Sequence, residues 1–126
     1  MAGPGGPKGA VGYRAESAVV AYLEAAGYEI VARNLRLGRL ELDIIARRAA
    51  LIIVVEVRTR GEGSWTSAFG SLTRSKQERI RRAGQRLWRE RYARDPTASQ
   101  LRFDAACVDF ERSGAPPRVD YVMAAF

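Results

Sequence analysis

The sequence predicts an α/β domain: a mixed sheet with a helix on each side, in the order αβββαββ. Three observations carry this. Two segments place apolar residues at helical spacing and close on helix stop signals. Between them lies Leu-Ile-Ile-Val-Val-Glu-Val-Arg (51–58), nearly all β-branched and bounded by charge, which reads as a buried central strand. Two more strand-like runs follow the second helix. A chain of 126 residues is long enough for one core and small for two.

Residues 1–12 are Gly/Pro-rich and lack an apolar signal core, so they read as a flexible tail before a single domain over 13–126. Residues 13–26 form the first helix, with Ala15, Ala18, Val19, Tyr22, Leu23 and Ala26 as its buried stripe. Gly27 fits the position just past the helix end. Glu16 sits at the edge of that stripe, either capping the first turn or pointing into a pocket. Tyr28–Arg33 reads as the first strand and Asn34–Gly38 as a turn. Strands over 38–47 and 51–58 follow, with a hairpin turn around Ala49.

The stretch from Gly61 to Gly70 reads as a loop, the class of segment that commonly contacts ligand. Its Trp65 and Phe69 either stack on bases or fold back onto the core. Ser75-Lys76-Gln77-Glu78 has the spacing of a capping box, with Ser75 as N-cap. Ile80, Ala83, Leu87, Trp88 and Tyr92 mark the stripe of the second helix, which Asp95-Pro96 ends. Residues 101–110 and 118–123 read as two further strands joined by a Gly/Pro turn.

The chemistry concentrates between Leu40 and Arg58. Side chains alternate across a strand, so Glu41 and Asp43 share a face of one strand, and Glu56 and Arg58 a face of the next. An antiparallel register about the Ala49 turn sets Asp43 opposite Glu56 and Glu41 opposite Arg58. Directly opposed carboxylates repel, and burial raises at least one pKa. A hard divalent cation between them removes both problems, and Mg²⁺ is typically held by one or two carboxylates plus substrate phosphates. The competing interpretation is a pair of solvent-facing acids and an ordinary cross-strand ion pair of little worth.

The net charge is +7, and residues 73–95 concentrate it. They hold Arg74, Lys76, Arg79, Arg81, Arg82, Arg86, Arg89, Arg91 and Arg94 against Glu78, Glu90 and Asp95, a net of +6. Such a segment is the footprint of a polyanion partner or a plainly solvated helix face. Next to an acidic pocket it points to nucleic acid, with Arg74, Lys76, Arg79, Arg82 and Arg86 as the contacting residues. The chain has no histidine, which excludes Ser-His-Asp or Cys-His catalysis and His-ligated zinc. Cys107 lies in an apolar strand pattern and reads as a buried, inert thiol. No stretch approaches the roughly 18 apolar residues of a membrane helix, so no membrane partner and a cytoplasmic location are expected.

The arrangement resembles the restriction-endonuclease-like nucleases, whose pattern is an Asp on one strand and [Asp/Glu]-x-Lys on the next. It looks still more like the YraN-type family of small bacterial proteins. The matching stretches are Ala15-Glu16, Gly27-Tyr28, Arg33-Asn34 and Glu41-Leu42-Asp43-Ile44-Ile45-Ala46. They continue with Val55-Glu56-Val57-Arg58-Thr59-Arg60, Leu72-Thr73-Arg74-Ser75-Lys76-Gln77 and Arg102-Phe103-Asp104. A similar layout occurs in archaeal Holliday-junction resolvases, which are dimeric and Mg²⁺-dependent.

The resemblance implies a restriction-endonuclease-like αβββαβ core and a Mg²⁺ or Mn²⁺ site formed by Glu16, Asp43 and Glu56. It implies Lys76 or Gln77 at the helix position that completes such sites, and a homodimer as the assembly. One departure bears on chemistry: the Lys of [Asp/Glu]-x-Lys is Arg58 here. A lysine in that place can help deprotonate water because its pKa falls on burial, whereas a guanidinium stays charged. Arg58 can stabilise phosphate charge but cannot act as a base. The expected function is metal-dependent DNA phosphodiester hydrolysis on branched or structured DNA. Asp43, Glu56, Arg58 and Lys76 would then be the catalytic residues. The alternatives are a non-catalytic nucleic-acid-binding module and an interaction subunit that relies on a partner.

Overall fold

A computed structural model describes residues 9–59, 72–110 and 115–126. The predicted loop with Trp65 and Phe69, the first eight tail residues and part of the predicted Gly/Pro turn lie outside them. Helix α1 spans Gly9–Ala25, starting four residues earlier than its apolar spacing indicates. Ala15, Glu16, Val19 and Leu23 are buried, but Tyr22 is exposed and stacks on Tyr121 at 5.1 Å instead of joining the stripe. The helix closes on Gly27, whose φ is +89°. The Tyr28 amide donates to the Leu23 carbonyl at 2.9 Å and the Gly27 amide to Glu24 at 3.0 Å. That pair of bonds is the Schellman arrangement, which satisfies the last carbonyls of the helix.

Strand β1 runs Glu29–Leu37, straight through the segment predicted as a turn. Asn34 tolerates this because it adopts φ +51°, a conformation open to asparagine, and so stays in the strand. The true turn is the two-residue Gly38–Arg39, with Leu37 paired to Leu40. Strand β2 spans Leu40–Arg48 and β3 Leu51–Thr59, joined at Ala49 as the sequence indicates. Their antiparallel register, Ile44 to Val55 through Arg48 to Leu51, is the predicted one.

Helix α2 spans Arg74–Leu87 and passes into a π-helical turn at Trp88–Tyr92. Its N-cap is Thr73, not Ser75: the Thr73 hydroxyl accepts from the Lys76 amide at 3.2 Å. Thr73 is extended while Ser75 already lies within the helix, so only Thr73 can cap. Strand β4 (Gln100–Asp109) returns parallel to β3, and β5 (Arg118–Val122) is antiparallel at the edge. The sheet order is β1-β2-β3-β4-β5.

The result is an α/β sandwich consistent with a restriction-endonuclease-like core. On one face Val19 and Leu23 of α1 pack on Ile44, Ile53, Val55 and Val108. On the other, Ile80, Ala83 and Leu87 of α2 pack on Leu42, Ile45, Ile52 and Val54. Cys107 is buried, as expected. Among the described residues no helix is long and apolar enough to cross a membrane.

Candidate functional site

The site forms where β2 begins and β3 ends. The β2–β3 ladder runs as far as Ile44 and Val55, and beyond it the Val57 amide donates to Asp43 Oδ2 at 2.9 Å. The Asp43 carboxylate thus satisfies a backbone group at the end of the ladder, which fixes it between the two strands. Glu56, one residue before, is buried and turned toward α2. Its Oε2 receives Arg58 Nη1 at 3.1 Å and Lys76 Nζ at 3.2 Å. Lys76 reaches it from the capped first turn of α2. Gln77 turns away, donating to the Leu72 carbonyl at 3.0 Å.

Asp43 and Glu56 are close enough to hydrogen-bond. The Glu56 carboxyl is pushed up to about 7, first by burial and then by the charge of Asp43, while Lys76 pulls it down. Repulsion between the carboxylates and the scarcity of water therefore outweigh the neighbouring cation. Both acids open onto a cleft of about 400 Å³, whose lining also includes Glu41, Arg39, Arg58, Lys76 and Arg79. Two adjacent carboxylates beside open space are oxygen donors that a hard divalent cation would suit. This donor set fits Mg²⁺ or Mn²⁺.

The structure therefore brings Asp43, Glu56, Arg58 and Lys76 together. Glu16, the third acid expected at the metal, belongs to α1. It is fully buried under α1, where Asn34 Nδ2 donates to its Oε1 at 2.9 Å and Arg33 Nη2 lies 3.6 Å away. It borders a separate cavity of about 70 Å³ with Gly12, Ala15, Val57 and Thr59. Val57 lines both cavities. Among the described residues no three acids or cysteines stand close enough to hold one metal ion. Glu41 faces the cleft, with Arg36 3.9 Å away across the first hairpin.

Of the predicted DNA-contacting residues, Arg74, Arg79 and Arg82 are exposed and Arg79 lines the cleft. Arg86 is half-buried and paired with Glu90 at 2.8 Å, so it is less available than its spacing suggests. Arg39 escapes the sequence reading, because the turn signals lie over Asn34–Gly38, before it. The role of Asp104 escapes that reading too. This buried carboxylate receives both Arg102 Nε and Nη2 at 2.8 Å, the Tyr121 hydroxyl, and the Ala124 amide at 2.9 Å. Burial and that carboxylate push the Tyr121 hydroxyl up. The network ties β4 to β5 and the segment after it.

Residues 15–108 match the model of Uncharacterised protein family UPF0102. The chain belongs to this family. That is the YraN family expected from its motifs. A UPF0102 protein of Sorangium cellulosum is 52% identical over 93% of this chain and 81% of its own length. One from Nitratidesulfovibrio vulgaris is 38% identical over 93% of this chain and 84% of its own. One from Nocardia farcinica is 41% identical over 96% and 92%. The UPF0102 match covers all four residues gathered at the cleft, as well as Glu16.

Proposed function

We propose that the cleft is a Mg²⁺- or Mn²⁺-dependent DNA phosphodiesterase site that acts on branched or structured DNA. The observation that carries this is the pairing of Asp43 with Glu56 at a cleft, with Lys76 and Arg58 both on Glu56 Oε2. Two acids held together against their mutual repulsion suit a cation better than they suit folding.

Asp43 and Glu56 would hold the ion, and a bound ion supplies an acidified water and screens phosphate charge. With Glu56 holding a cation, Lys76 and Arg58, now on its Oε2, would be free to bind phosphate. Arg58 then offers a fixed planar fork to two phosphate oxygens, and Lys76 a mobile point charge. Both act on charge that grows in the transition state. Arg58 stays protonated throughout, so it takes no proton from water. Glu16 would be a further or water-mediated ligand, held in place by Asn34 and Arg33 of β1.

A second reading, a binding module that keeps the fold without cutting, is favoured by one observation. Glu56 already has two cations on a single oxygen, and Arg58 occupies the place where nucleases of this pattern carry lysine.

The test is cleavage of single-stranded, duplex, flap and four-way-junction DNA with Mg²⁺ or Mn²⁺. Cutting of at least one form, lost on chelation, supports the enzyme. Inertness on every form with both metals, by the wild type and by Arg58→Lys alike, overturns it in favour of the binding module.

A further inference from the structure

The β1–β2 turn carries a cation that neither the motif nor the basic helix explains. Arg39 stands at the tip of a two-residue hairpin loop, following Gly38 at φ +66°. Glycine with positive φ at the first of two loop positions is the arrangement that matches the twist of paired strands. The tip is also held from below, since Leu37 and Leu40 pack into the core beneath α2. A Cβ added at Gly38 would stand 3.1 Å from Arg86 Nη1, so the turn lies against α2. Arg39 is therefore mounted on a fixed arm.

Arg39 and Arg79 line the same cleft, one from the hairpin and one from α2. Neighbouring cations have partners: Arg58 and Lys76 on Glu56, Arg36 near Glu41, Arg86 on Glu90. Arg39 and Arg79 have no ion pair with any described residue. Two unmatched guanidiniums on separate elements at the rim of one cleft suit a chain of anions passing between them.

We infer that the β1–β2 turn forms the second lip of the nucleic-acid groove. Arg39 and Arg79 clamp the DNA backbone across it and set which phosphate lies over Asp43 and Glu56. This rests on the proposed reading of the cleft as a DNA site and extends it from the basic helix to the hairpin. The contacts are to phosphate, so they position the strand without selecting sequence.

The test is the salt dependence of binding to a labelled four-way junction and a matched duplex, with divalent ions chelated. Each lost phosphate contact lowers the slope of log affinity against log salt by about 1. Arg39→Ala and Arg79→Ala should each do so, and the double variant should lose about 2. Arg39→Lys, which keeps the charge, should retain the slope. Arg48→Ala removes the same charge from the opposite end of β2 and should leave the slope unchanged. If the wild type binds and Arg39→Ala keeps the slope of Arg48→Ala, the hairpin lip is refuted while the DNA site stands. If the wild type does not bind DNA even at low salt, the DNA reading itself falls, and the lip with it.

Discussion

Glu56 shows how much chemistry rests on a single side chain. In the folded protein without metal it keeps its proton to about pH 7, whereas an ordinary glutamate releases it near 4.5. The folded state therefore binds more protons than the unfolded chain across that window. Stability must fall as pH rises through it and stay lower above about 7. Glu56→Gln carries no titrating proton, so denaturant unfolding should show it losing less stability than the wild type between about pH 5 and about pH 8. Parallel losses in the two proteins would mean that the carboxyl is not held neutral. The pairing of Asp43 with Glu56 was legible from the sequence, because strand alternation and a turn at Ala49 leave one register. The position of Glu16 was not. It depends on Asn34 adopting positive φ within β1 and on how α1 docks, neither of which is a local preference.

At the scale of elements, α2 does most to shape the site. Its first turn delivers Lys76 and its apolar side seals the sheet. Gly84 is the tightest point: a Cβ there would lie 2.5 Å from Phe103 Cε1. Gly84→Ala must push α2 or Phe103 aside, at a cost of about 1–3 kcal/mol for overpacking. That loss should be measurable by urea unfolding. A stability equal to wild type would show that Phe103 yields freely. The stripe of α2 was readable from its periodicity, but its start was not. Thr73 and Ser75 are both competent caps, and the distinction lies in backbone conformation. For β1 the turn signals in Asn34–Gly38 were real, but Gly38 alone makes the turn.

Over the whole molecule, charge is divided by position. The acids lie at the floor of the cleft, and the cations lie at its rim and along α2. A polyanion approaching this surface meets the rim first. Charge reversal at Arg79 or Arg82 should therefore weaken DNA binding at low salt for every sequence alike. Reversal at Arg86 should weaken it less, since Glu90 already neutralises that residue. Equal losses at all three, measured by fluorescence anisotropy, would mean that the Glu90 pair opens on binding. The fold order was legible throughout because each element has its own period. The cleft rim was only half legible, since Arg39 enters it through a turn that the sequence signals place earlier, over Asn34–Gly38.

The catalytic claim turns on Asp43. Asparagine keeps an oxygen for the Val57 amide, so the Asp43→Asn fold should hold while the charge that retains a cation is gone. The decisive measurement follows cleavage and binding of one DNA form, chosen as the form the wild type cuts, in the same Mn²⁺ series for both proteins. The site as described predicts metal-dependent cutting by the wild type and none by Asp43→Asn. Metal-free DNA binding by the variant should be equal or tighter, because a negative charge facing phosphate has been removed. Undiminished cutting by Asp43→Asn would contradict the assignment of this cleft as the catalytic centre.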